Sequence, residues 1–128
     1  MRNKRFFSIA LAALLFSSFV VSATEFQTET KSVKMPDDVK AIIEKSCFGC
    51  HNTDSKNDKA KEKLDLKTLD SLTKNKMIAS LKEITETIEE NEMPPAKFLE
   101  KNPDKKLTDA EKKILMDWAN SEAKALMQ

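Results

Sequence analysis

The sequence predicts an all-α domain, and three observations carry that reading. Apolar residues recur at helical spacing in three separate segments. No stretch alternates polar and apolar residues as a half-buried strand would. Gly49 is the single glycine, so neither glycine-based hairpin turns nor a glycine-rich phosphate loop can be built.

The chain opens with Arg2, Lys4 and Arg5 and no acid, followed by a run from Phe6 to Val21 that only Ser8, Ser17 and Ser18 interrupt. Val21-Ser22-Ala23 then supplies the small residues that a signal peptidase reads. This order predicts a cleaved secretory signal over residues 1–23. The run of 16 residues falls short of the ~20 that a spanning helix needs. Export to a bacterial periplasm, or to the outer face of a membrane, is the expected address. Any membrane association is expected only through the signal before cleavage.

Residues 24–35 are polar and aperiodic, which predicts a flexible tail. The domain is expected to fill 36–128. Pro36-Asp37-Asp38 suits a helix start, with proline in the first turn and acids at the positive end of the dipole. Val39, Ile42, Ile43 and Cys47 continue one apolar face.

That helix leads into Cys47-Phe48-Gly49-Cys50-His51, which holds both cysteines and the single histidine of the sequence. C-x-x-C-H is the spacing of c-type haem attachment. Two thiols so placed can add to the two vinyl groups on one porphyrin edge, and the adjoining imidazole can bind the iron. No further Cys or His is available to complete a zinc site. A Cys47–Cys50 disulfide with a surface His51 is an alternative. So is a thioredoxin-like redox pair, although that motif belongs with a βαβ pattern absent here.

Residues 52–63 are polar and charged, and are expected to form a solvated loop with a helical turn near its end. Lys56, Lys59, Lys61 and Lys63 read first as a solvated face; the second reading is that they steer an acidic redox partner. Leu64, Leu66, Leu69 and Leu72 should pack over one side of the pocket. Asn75 to Asn91 predicts the longest internal helix, with Met77, Leu81, Ile84 and Ile88 as its stripe. Met93-Pro94-Pro95 follows, and a residue before proline is pushed toward an extended backbone. A stiff, extended methionine downstream of C-x-x-C-H is the candidate thioether ligand for the second face of the iron. Met77 and Met116 lie in helical stripes and read as core; Met35 and Met127 lie near the ends.

Asn102-Pro103-Asp104 predicts a turn. Thr108 and Glu111 have the spacing of a capping box. The last helix should then run to about Leu126, burying Ala110, Ile114, Leu115, Trp118 and Ala119. Trp118 is expected to pack against the Val39–Cys47 helix.

The whole chain carries 22 Lys and Arg against 21 Asp and Glu. Removing the signal takes three bases and no acid, which leaves a formal charge of −2 with the signs interspersed. Nucleic-acid binding, which leaves a basic footprint, is not expected. A chain this small has a thin core, and a covalently held prosthetic group would add apolar mass to it.

The helix ending in CFGCH, the later NEMPP and the closing LTDAEKKILMDW resemble the small exported haem-binding domains related to class I c-type cytochromes, from about Val39 to Asn120. The resemblance implies a small cytochrome c-like helical domain around one covalently bound haem c. It implies thioether bonds at Cys47 and Cys50, with His51 as proximal and Met93 as distal iron ligand. The expected role is that of a single-electron carrier between redox proteins, not an enzyme. The alternative is a haem-based small-molecule sensor or a peroxidase-like domain with a displaceable Met93.

Overall fold

The computed structural model describes residues 32–128. The signal at 1–23, and the tail up to residue 31, lie outside the described residues. Five helices follow in order: α1 (Asp37–Ser46), α2 (Asp58–Lys63), α3 (Lys74–Glu89), α4 (Ala96–Leu99) and α5 (Asp109–Met127). Short 3-10 turns stand at Leu69–Ser71 and Pro103–Lys105. No strand occurs among the described residues, and no helix among them is long and apolar enough to cross a membrane. The all-α expectation holds.

The main contact is between α3 and α5, with α1 laid against α5. Met77, Leu81 and Ile88 from α3 meet Leu115, Trp118, Ala119, Ala123 and Leu126 from α5 in one core, joined by Val39, Ile42 and Ile43 of α1. Ala110, expected on the buried face of α5, is exposed. The face begins one turn later and continues to Leu126.

Each long helix has a chemical stop or start. At α5, Thr108 Oγ1 accepts from Glu111 N at 3.2 Å, and Glu111 Oε2 accepts from Thr108 N at 2.8 Å. The expected capping box is therefore present. At the end of α3, Asn91 adopts a left-handed φ of 59°, a conformation that asparagine tolerates. Asn91 N bonds Ile88 O and Glu92 N bonds Thr87 O, the paired bonds of a Schellman cap. Lys112 Nζ then donates to Asn91 Oδ1 at 2.6 Å, tying that cap to α5.

The last three residues of the expected tail, 33–35, belong to the packed domain, with Met35 set against the core. Val33 is 8% exposed, and its N–H donates to Asp70 Oδ1 at 2.7 Å. Lys34 N donates to Glu122 Oε2 at 2.9 Å, and Trp118 Nε1 donates to Lys34 O at 2.7 Å. Trp118 thus has a polar partner just ahead of α1, which accounts for how its indole N–H is buried without penalty. Composition alone could not separate these three residues from the polar stretch before them.

Candidate functional site

The C-x-x-C-H segment forms two successive tight turns at the end of α1. Cys47 N and Phe48 N both donate to Ile43 O, at 2.8 and 2.9 Å, and Cys50 N and His51 N both donate to Cys47 O, at 3.1 and 3.0 Å. The two thiols and the imidazole are thereby held on one short loop. Gly49 is exposed, and a Cβ built there would meet no atom within 4 Å.

The two cysteines are free and half-buried, but their surroundings differ. Cys47 packs against the core and lines an apolar cleft with Ile43, Leu64, Leu66, Ile84, Ile88 and Leu115. Cys50 is in neither set. Burial pushes the Cys47 thiol up from 9.0 to about 11, helped by the nearby Cys50 and opposed by Lys45.

His51 is held from two directions by the segment after α2. Its Nδ1 lies 3.1 Å from Leu64 O, and its own carbonyl accepts from Leu66 N at 3.1 Å. A carbonyl oxygen can only accept, so Nδ1 is the donor in that bond. In the neutral ring the lone pair is then on Nε2, the arrangement of a metal-ligating histidine fixed by an outer partner.

Two further features of the loop were not legible as site residues. Asn52 is 8% exposed; its Nδ2 donates to Phe48 O, and its Oδ1 accepts from Asp54 N at 2.8 Å. Thr53 Oγ1 donates to Asp65 Oδ2 at 2.6 Å, and this bond is the main reason the Asp65 carboxyl titrates below its ordinary range. Lys67 pairs with Asp54. Asn-Thr-Asp reads as a solvated loop by composition. The usable signal was that Asn and Asp side chains bond backbone two residues on. The role of Leu64 is carried by its backbone, which residue type does not encode.

Met93 stands apart. It is 38% exposed and does not line the cleft beside Cys47. Its N–H reaches Thr87 O at 3.3 Å, the peptide to the buried Pro94 is cis, and α4 follows directly. The turn after α1 brings Cys47, Cys50 and His51 together, while Met93 lies on a separate segment between α3 and α4 with its side chain partly exposed. Of the loop lysines, Lys61 pairs with Asp58 at 2.8 Å, while Lys56, Lys59 and Lys63 are exposed.

The family described as haem-binding domain matches residues 53–121. The chain belongs to this family. The match takes in the loop after His51, α2 to α4 and most of α5, and it begins two residues beyond the C-x-x-C-H histidine. No curated protein and no solved structure matches the chain. The residues present suit the haem expected of a haem-binding domain. The Cys47 thiol lines an apolar wall, and Cys50 and His51, the latter with Nε2 available, follow it on the same turn. The cleft is small, about 30 Å³, so its side chains must part for a porphyrin edge to enter.

Proposed function

We propose that this haem-binding domain is a monohaem c-type cytochrome that carries single electrons in the periplasm. Cys47 and Cys50 would hold the haem through thioether bonds, with His51 Nε2 as one axial ligand and the Met93 sulfur as the other. When bound, haem supplies a ferric–ferrous couple; the chain supplies attachment, orientation and exclusion of water. The observation that carries the reading is the His51–Leu64 bond beside two free thiols, because it leaves Nε2 as the coordinating nitrogen. The apolar side chains lining the cleft would shield one edge of the ring. Redox proteins are the partners proposed, and no substrate turnover is assigned to the chain.

The second reading is a small-molecule sensor or peroxidase-like domain. The exposure of Met93 favours it, since a ligand loop outside the cleft is more easily displaced. The test is to produce the full chain alongside haem-maturation machinery. Haem that stays with the chain after acid–acetone extraction is expected, and colour that extracts completely would defeat thioether attachment. Ferrous protein that resists carbon monoxide supports Met93 ligation and electron transfer. Immediate binding supports the sensor reading.

A further inference from the structure

We propose that Asn52 and the Thr53–Asp65 pair are the positioning residues of His51, fixing its ring in the Nδ1–H form with Nε2 turned to the metal. The significance of the inference rests on His51 being the haem ligand, but its first readout needs no haem. The His51 amide is held by Cys47 O, but nothing on that turn fixes the ring: it bonds a backbone carbonyl, Leu64 O, and the His51 carbonyl bonds a backbone amide, Leu66 N. Both partners sit on a segment that follows the exposed helix α2 and belongs to no regular element. Something must hold that segment and the loop in register, or the ring would be free to turn and exchange tautomers.

Leu64 and Leu66 pack the segment against the core, and three polar side chains set its register with the loop. Asn52 bridges the loop internally. By donating to Phe48 O and accepting from Asp54 N, it spans the turn that contains Gly49, Cys50 and His51. It is a buried polar side chain with both ends of its amide satisfied, so truncation would strand backbone groups that water reaches poorly. Thr53 and Asp65 clip the loop to the following segment, with Asp65 placed between the two residues that touch His51. Asp65 Oδ1 also accepts from Lys67 N at 2.9 Å, so its carboxylate is oriented from both oxygens. The ring bond is thus one rung of a short ladder: His51–Leu64, Thr53–Asp65, His51–Leu66 and Asp54–Lys67.

The experiment uses the full chain with and without haem. In the haem-free chain at pH 8, nitrogen NMR of His51 should show a single Nδ1–H tautomer. Thr53→Val removes the hydroxyl at nearly constant size and should convert this to a mixture; Thr53→Ser should restore it. Asn52→Ala should do the same more completely, and if that variant fails to fold, the Thr53 pair decides. In the haem-loaded chain, loosening the Nδ1 bond weakens electron donation from the imidazole, so Thr53→Val should raise the reduction potential. Lys113→Ala, which breaks an exposed pair on α5, should change neither readout. The inference is overturned if the wild-type ring is the Nε2–H form. It is equally overturned if Thr53→Val lowers the melting temperature while tautomer and potential stay as in the wild type. Failure to load haem would instead defeat the proposed function, with the tautomer measurement still standing.

Discussion

The α3–α5 pair and the Cys47–Lys67 loop are neighbours built by opposite means. The pair is held by apolar stripes at helical spacing, with Leu81 at 0% and Leu115 at 1% exposed. In the loop, Asn52 and Ser55 are buried while no apolar side chain between Cys47 and Lys67 is fully so. What orders it is a set of side-chain and backbone hydrogen bonds. Apolar packing tolerates many sequences and supplies stability. Directional polar bonds supply little net stability but fix where a ring or a thiol points. The contrast predicts that damage to the pair lowers stability, whereas damage to the loop alters chemistry at His51.

The largest effect should come from Leu81→Ala. A fully buried leucine in the α3–α5 seam should cost about 3 kcal/mol, read by urea unfolding. A loss below about 1 kcal/mol would mean that the pair does not dominate stability. Next is the Cys47 thiol, which sits where the two regions meet. Its value in the fold is raised from 9.0 to about 11, so the folded chain keeps a proton that the unfolded chain has released. Stability of the haem-free protein should be unaffected by this group below pH 9. It should then fall as pH rises from about 9 to about 11. Cys47→Ala should flatten that limb of the curve. The same shift predicts alkylation at pH 8 slowed about hundredfold against an exposed thiol, by the scarcity of thiolate alone.

A smaller change of opposite sign is expected at the end of α1. Ser46 Oγ is buried with no hydrogen-bond partner among the described residues. Ser46→Ala removes that unmet group and should stabilise the fold by about 1 kcal/mol; a loss of stability would show that the hydroxyl has a use. The smallest effect is at Glu111, where Lys45 Nζ, 2.5 Å away, and the Thr108 N–H hold the carboxyl below its ordinary value. Its contribution is present above about pH 4.5 and is lost as acid carries the pH down through the depressed folded value. Glu111→Gln should remove part of the acid limb while costing about 0.5 kcal/mol at neutral pH.

The same division explains what could be read from the chain. Met77, Leu81 and Ile88 announced α3, and Thr108 with Glu111 announced the start of α5, because period and capping are local signals. The C-x-x-C-H loop was legible as chemistry because spacing alone carries it. The short α4 was missed: Ala96–Leu99 is a single turn with no buried residue and no period to detect. Asn52 and Asp65 were missed for a different reason. Their partners lie across the loop, and a polar residue that bonds backbone looks the same in sequence as one that bonds water.

The clasp on Val33 and Lys34 has a mechanical consequence. Any load on the backbone ahead of α1 meets Val33 and Lys34, which Asp70, Glu122 and Trp118 grip from the 3-10 turn and from α5. Those three bonds stand in series ahead of α1. A pull on the backbone there is therefore taken up by the 3-10 turn and by α5 ahead of α1.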